Sequence, residues 1–323
     1  MEKEGAGFMI NWGIIGAGNI ANRFAESLTN FPDAQLYGVA CRTMDKAATF
    51  QNNHPCKKIF DDYQLLLNEP EIDLVYIALP HLYHHEWIIK ALTAGKGVLC
   101  EKPATMNVME IQEVAETART QNKLFMEAMK SRFVPAYRAV HKRITSDEIG
   151  VITKVFTSLC RKLPEEQASY HYSPEQGGAL LDMGIYNLSL IEDFSPANLN
   201  VGTLDYKQHA NQVDVYLKAT LIQDHFEATI ETGFDRTTDT VAILSGTKGT
   251  ITIPNFHRAT SFTISKQNET TTVDVPYDHD DFHSEIAAMH RSFNQSEIEN
   301  PLMTLENSIQ CARLLELLKD RME

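Results

Sequence analysis

The chain has 323 residues, 43% of them hydrophobic and 22% charged, with 29 basic against 43 acidic side chains and a formal net charge of -14. That composition excludes collagen-like, low-complexity and disordered classes, and at ~100–200 residues per domain it predicts two domains. The acidic balance argues against nucleic acid and an anionic membrane surface, though not against an anionic small molecule, which responds to the local field of a pocket.

At the N-terminus, MEKEGAGFM lacks the ~7–15-residue apolar run of a signal peptide, and no stretch approaches the ~20 apolar residues of a membrane helix. Residues 11–15 then read as a short apolar strand and 19–30 as a helix. A strand at 34–40 (AQLYGVA), a helix at 44–52, a short strand at 57–60 and a helical turn at 63–68 follow. Residues 73–79 (DLVYIAL) are nearly all apolar, which suits a central strand covered on both faces. A helix at 84–94 closes on Gly95; a strand at 98–100, a helix at 108–120 and a strand at 124–127 complete the series. Strands alternating with helices mean βαβ units and right-handed crossovers, so residues 8–130 are expected to form a doubly wound parallel sheet.

The texture changes after Lys130. A helix at 135–145, a strand at 151–159, a polar loop at 161–176 and a helix opened by Gly177-Gly178 lead into a strand-rich region at 200–275. Alternation in VDVYLKATLI and HFEATIETGF, with turn signals at 247–249 and 254–255, predicts hairpins in an antiparallel or mixed sheet. Two helices finish the chain, one capped by Asp280 or Asp281 and one at 304–319, making 131–323 an α+β domain. The five cysteines (Cys41, Cys56, Cys100, Cys160, Cys311) are odd in number and scattered, so a reducing cytoplasm is expected rather than a disulfide framework or zinc site.

Gly16-Ala17-Gly18-Asn19-Ile20-Ala21 sits directly between the first strand and the first helix. In a dinucleotide-binding turn the first glycine permits the tight bend and the second lets the backbone approach the pyrophosphate. The third position needs only a small residue, which Ala21 supplies, and the helix N-terminus offers free N–H groups. The alternative is a merely structural turn. NAD-preferring sites carry an acid at the end of the second strand, whereas this strand ends Cys41-Arg42-Thr43. Arg42 could pair with a 2′-phosphate, with Thr43 as a hydroxyl donor, so NADP is expected ahead of NAD. The bland alternative for Arg42 is a solvated side chain opening a helix.

Two further strand ends stand out: Leu79-Pro80-His81-Leu82-Tyr83-His84, and Cys100-Glu101-Lys102-Pro103, where a charged pair breaks an apolar strand before a proline that could be cis. Together with the Gly-rich turn and GGALLDMGIYNL at 177–188, these segments match one pattern in order and spacing nearly end to end. The chain resembles the glucose-fructose oxidoreductase/inositol dehydrogenase (Gfo/Idh/MocA) family. The resemblance implies that Lys102 is catalytic, hydrogen-bonding the reacting oxygen, and that Asp182 and Tyr186 form the second catalytic motif. Many members have His where this chain has Tyr186; the tyrosine form is similar to the dimeric dihydrodiol dehydrogenase branch. The residues themselves suggest an ammonium with depressed pKa at Lys102, and a Tyr186 hydroxyl lowered by that cation; the bland alternatives are a lysine paired structurally with Glu101 and a core aromatic with its hydroxyl satisfied. Asp182 and Tyr186, four apart, would share a helix face.

Beside that resemblance, Leu79, Pro80, His81, His84, Glu101 and Pro103 join the turn residues as candidate cofactor contacts, with His81 and Pro80 against the nicotinamide and ribose and His84 capping or bracing the next helix. No carboxylate pattern accompanies the histidines at 81, 84 and 85, so no metal is expected. Residues 278–283 (DHDDFH) read as a helix start, the methionines as core filler, and Arg161, Tyr170 and His171 as side chains within possible reach of substrate. The resulting expectation is a cytoplasmic NADP-preferring oxidoreductase, moving a hydride between nicotinamide and a secondary alcohol or its carbonyl on a sugar, polyol or cyclic diol. A homodimer is implied by the resemblance. The competing class is a sensor of the same fold that binds NAD(P) without turnover.

Overall fold

The computed structural model describes residues 9–164 and 170–322. The signal-peptide expectation on the first residues, and the middle of the 161–176 loop, therefore fall largely outside the described residues. No helix among those described is long and apolar enough to cross a membrane.

Six strands, β1 (Ile10–Ile15), β2 (Ala34–Ala40), β3 (Lys58–Phe60), β4 (Leu74–Ile77), β5 (Gly97–Glu101) and β6 (Phe125–Ala128), form one parallel sheet in the order β3-β2-β1-β4-β5-β6. Crossovers are made by α1 (Asn19–Leu28), α2 (Met44–Asn53), α3 (Tyr63–Leu67), α4 (His84–Thr93) and α5 (Val108–Gln121). The order reverses between β1 and β4, so a crevice opens beyond their carboxyl ends. All four residues of β4 are buried, as the unbroken apolar run requires of a central strand. The apolar face of α1 closes on the sheet through Phe24, which stacks on Tyr76 with ring centroids 3.9 Å apart and meets Trp12 edge-on at 5.1 Å.

The second sheet has eight strands: β7 (Ile152–Cys160), β8 (Asn200–Gln208), β9 (Asp214–Gln223), β10 (Phe226–Gly233), β11 (Val241–Gly246), β12 (Thr250–Pro254), β13 (Ser261–Lys266) and β14 (Glu269–Asp274). Their order is β14-β13-β12-β11-β7-β10-β9-β8, antiparallel except for the parallel pair β7–β10. One face is covered by helices, among them α7 (Ile185–Phe194), while α6 (Pro135–Thr145), α8 (His283–Asn294) and α9 (Leu305–Lys319) complete the chain. Asp280 caps α8 by accepting from the Phe282 and His283 amides at 2.7 and 3.0 Å. Asp281 does not; its carboxylate turns to three cations described below.

The two sheets are tied by buried polar contacts. Arg132 donates from Nε to Ser189 Oγ at 2.8 Å and from Nη2 to the Ser189 carbonyl at 2.7 Å, and pairs with Glu192. Trp12 on β1 donates to His290 on α8 at 2.9 Å. These bonds join the turn after β6 to α7 and β1 to α8.

Candidate active site

Where β1 meets α1, Gly16 has φ +98°, and a Cβ there would lie 2.4 Å from the Ala78 carbonyl oxygen. Only glycine permits that turn. A Cβ on Gly18 would meet nothing within 4 Å, so the backbone of the turn stands open to an approaching group. This is the cradle that a dinucleotide phosphate needs, and it opens into a cavity of about 350 Å³ walled by Gly16, Ala17, Gly18, Arg42, Lys46 and Pro80, among others. The residues present therefore fit the dinucleotide. Lys46, in the first turn of α2, adds a second cation beside Arg42 that the sequence reading missed. Thr43 is exposed at the start of α2 and lines neither this cavity nor the cleft below. Asn19 and Pro103 also line neither.

Leu79 lines this cavity and also a larger cleft of about 710 Å³ between the two sheets. Its walls bring together Ile20, His81, His84, Glu101, Lys102, Asp182 and Tyr186, and also Arg161, Tyr170 and His171 from the loop. Asp182 lies in a single π turn, Leu180–Gly184, that runs directly into α7. Such wide turns recur at functional sites, and this one still brings Asp182 and Tyr186 to the same cleft.

Lys102 directly follows β5 and precedes Pro103 across a cis bond, and its Nζ donates to the Asp182 carbonyl at 2.5 Å and to Asp182 Oδ1 at 2.9 Å. Its partner is thus Asp182 rather than Glu101, which instead accepts from the Tyr76 hydroxyl. Burial is the largest influence on Lys102 and acts downward, but Asp182 and Glu101 outweigh it, so the ammonium pKa is raised. This overturns the expected depression. Asp182 is correspondingly lowered: burial alone would raise it, but the charges of Lys102, His81 and His171 prevail. The Lys102 ammonium stands 4.8 Å from the Tyr186 ring. Even so, the Tyr186 hydroxyl is pushed well above the ordinary phenol range, by burial first and then by Glu101, Asp182 and Glu285. The expected lowering fails because Asp182 neutralises the cation and other carboxylates surround the ring.

The histidines divide the work differently from expectation. His84 does not cap α4; its two ring nitrogens lie 2.8 Å from the Pro103 carbonyl and 2.7 Å from the Leu79 carbonyl, bracing the two strand ends together. His81 contacts the Gln176 carbonyl at 3.2 Å, and burial followed by the charges of His84 and Lys102 pushes it down to about 3. From the loop, His171 Nε2 lies 3.6 Å from Asp182 Oδ2, with Tyr170 stacked on it at 3.9 Å. No group of His, Cys, Asp and Glu able to hold a metal occurs among the described residues. Sequence reasoning also missed Lys130, His257 and Arg258, which line the cleft. The last two come from a turn after β12 whose approach to Tyr186 depends on the path of the whole sheet.

Two family models match. Residues 10–129 match the "Oxidoreductase family, NAD-binding Rossmann fold" model, and residues 137–252 match the GFO/IDH/MocA C-terminal domain. The trans-1,2-dihydrobenzene-1,2-diol dehydrogenase of Xenopus tropicalis is 32% identical over 254 residues, covering 76% of this chain and 75% of that one. The scyllo-inositol 2-dehydrogenase (NADP(+)) IolU of Bacillus subtilis is 28% identical over 322 residues, covering 97% of each. Among solved structures, KijD10, a 3-ketoreductase from Actinomadura kijaniata in complex with NADP and TDP-benzene, superposes with a TM-score of 0.87 at 27% identity over 97% of each chain. The two matched models, the turn between β1 and α1 and the Lys102–Asp182 pair at the cleft all agree: this chain belongs to the Gfo/Idh/MocA family of oxidoreductases.

Proposed function

We propose that the chain is an NADP-preferring oxidoreductase acting between a secondary alcohol and its carbonyl on a sugar, polyol or cyclic diol. The observation that carries this reading is the largely but not fully buried Lys102–Asp182 pair beside Tyr186, in a cleft that shares Leu79 with the dinucleotide-sized cavity. Two relatives are named for vicinally oxygenated rings, a dihydrobenzene diol and an inositol, and KijD10 is named a 3-ketoreductase. When bound, the dinucleotide supplies or accepts the hydride.

The chain's own residues handle the oxygen. Lys102, kept protonated by Asp182, polarises a carbonyl by hydrogen bonding. Tyr186, kept neutral by burial and nearby carboxylates, donates its proton to that oxygen as negative charge develops there. A protonated lysine and a protonated tyrosine are the forms that reduction of a carbonyl requires. Arg42 and Lys46, beside the glycine turn, suit a 2′-phosphate. Gly16, Ala17, Gly18, Asn19 and Ile20 would hold the pyrophosphate, and Leu79, Pro80, His81, His84, Glu101 and Pro103 would frame the nicotinamide end. On this reading the first sheet, within 8–130, serves the cofactor, and the second, within 131–323, serves the substrate.

A homodimer through the open face of the second sheet belongs to the same reading. Phe156 and Ile243 are cross-strand partners there and only half-buried, while their neighbours Val155 and Leu244 point into the core. The five free cysteines suit the reducing cytoplasm. The test is NADPH oxidation with a panel of keto sugars, their carboxylated and phosphorylated forms, inososes and cyclic diketones, repeated with Lys102→Ala. Turnover by the wild-type chain, and its loss in the variant with NADPH binding retained, is the expected result. No turnover by either, with NADPH still bound, would overturn the reading in favour of a sensor.

A further inference from the structure

One corner of the cleft is not used by the chemistry above. Asp281, only 5% exposed, is the common partner of three cations: Arg23, Lys130 at 2.6 Å, and Arg258, whose Nε lies 3.1 Å away. Lys130 and Arg258 line the cleft; Arg23 does not. One carboxylate thus holds three positive charges, and it orients Arg258 through Nε while that side chain stays 47% exposed. The charges of the cleft wall point the same way. Its carboxylates are already bonded, Asp182 to Lys102 and Glu101 to Tyr76. Arg161, also in the wall, has no ion-pair partner among the described residues.

His257 reports the field in this corner. Its ring lies 5.6 Å from that of Tyr186, and its Nδ1 is buried without a hydrogen-bond partner among the described residues. Burial, then the charges of Arg258, Lys130 and Lys102, push it down to about 3, against only Asp281 in the opposite sense. The imidazole is therefore neutral and sits in a positive field. A guanidinium edge fixed from behind by a buried carboxylate is a preorganised receptor for planar or tetrahedral oxyanions. The glycine turn, where the dinucleotide phosphates belong, borders the other cavity.

We infer that the substrate carries an anionic oxygen group, a carboxylate or a phosphate, that docks against Arg258 and Lys130 next to Tyr186. The inference rests on the oxidoreductase reading and narrows its substrate class from neutral polyols to acidic or phosphorylated ones. A net charge of -14 does not oppose this, because the cations that matter are concentrated at the cleft wall.

The test is calorimetric titration of the NADP-loaded protein with inorganic phosphate and, separately, with malonate, at constant ionic strength. Saturable binding of at least one is expected, and the tighter of the two identifies the group. Arg258→Ala should weaken it roughly tenfold or more, as loss of a charge-assisted hydrogen bond implies. Arg258→Lys should retain more affinity than Arg258→Ala. Arg258→Gln, which keeps a donor for Asp281 but loses the charge, should weaken it as well and stands in if the alanine variant does not fold. NADPH affinity should stay within about twofold of wild type in each.

Three results would overturn the inference: binding of neither anion, equal binding in the Arg258 variants, or a parallel fall in NADPH affinity. The last would assign the corner to the cofactor. Reduction of neutral carbonyls without anion binding would sink this inference alone. Anion binding without any carbonyl reduction would sink the oxidoreductase reading instead.

Discussion

Asp182→Asn isolates the charge of the pair while keeping its shape. In the wild-type chain Lys102 and Asp182 side chains are 11% and 18% exposed, and Nζ lies 2.9 Å from Oδ1. The amide preserves the backbone carbonyl contact at 2.5 Å but removes the counter-charge. Removing one member of a buried pair costs about 3–5 kcal/mol, and the partial exposure of both groups places this case at the lower end. Much of that cost can be relieved if Lys102 sheds its proton. Burial, the largest influence on this lysine and a downward one, would then be opposed chiefly by Glu101, so its pKa falls.

The sign of the pH dependence follows. In the wild-type chain the lysine is raised and the aspartate lowered, so both remain charged from the weakly acidic to the moderately basic range. The lysine's stabilising contribution is present below its unfolded pKa and lost as pH rises through the raised folded one. The aspartate's is present above its unfolded pKa and lost as pH falls through the lowered folded one. In the variant the active cation disappears as pH rises, and kcat/KM for reduction should decline on the basic side where the wild-type rate stays level. Initial rates of NADPH-dependent reduction from roughly pH 6 to 10, with thermal melting alongside, measure this. A variant profile that overlays the wild type would refute the claim that Asp182 keeps Lys102 charged.

Four other outcomes are expected. Gly16→Ala places a methyl 2.4 Å from the Ala78 carbonyl at φ +98°, so it should destabilise the chain by about 1–3 kcal/mol in denaturant unfolding. Gly18→Ala meets no atom within 4 Å and should leave stability within about 0.5 kcal/mol of wild type while weakening NADPH binding; unchanged binding would displace the phosphate from this turn. Arg42→Ala combined with Lys46→Ala should raise the KM for NADPH far more than that for NADH, and an unchanged ratio would remove the 2′-phosphate assignment. Arg132→Ala strips Ser189 and Glu192 of a buried cation and should cost about 3–5 kcal/mol, read as a lower thermal midpoint.

Most of the architecture was legible because it rests on local patterns. The apolar run of β4, the glycine turn and the alternation in β9 and β10 each predict an element from a few adjacent residues. The trio proposed as catalytic, Lys102, Asp182 and Tyr186, came from motifs, and the cleft unites all three. The pKa directions were not legible. Whether Lys102 is raised or lowered depends on whether Asp182 or empty space faces its ammonium, and that contact spans 80 positions of chain. His84 looked like a helix cap because of its place in sequence, yet its ring meets carbonyls at two strand ends. His257 and Arg258 carry no local signature at all. They reach the cleft only because the second sheet returns its β12 turn toward α7.

The most direct measurement is the fate of deuterium from stereospecifically 4-deuterated NADPH during reduction of a ketone from the panel. Transfer of the label to the carbinol carbon of the product is expected for the wild-type chain. Lys102→Ala and Tyr186→Phe should bind NADPH comparably and slow that transfer by roughly 100-fold or more, as loss of positioned acid catalysis implies. Transfer at the wild-type rate in both variants would contradict the roles given to Lys102 and Tyr186. Absence of label from any product, with NADPH bound, would contradict the oxidoreductase reading itself.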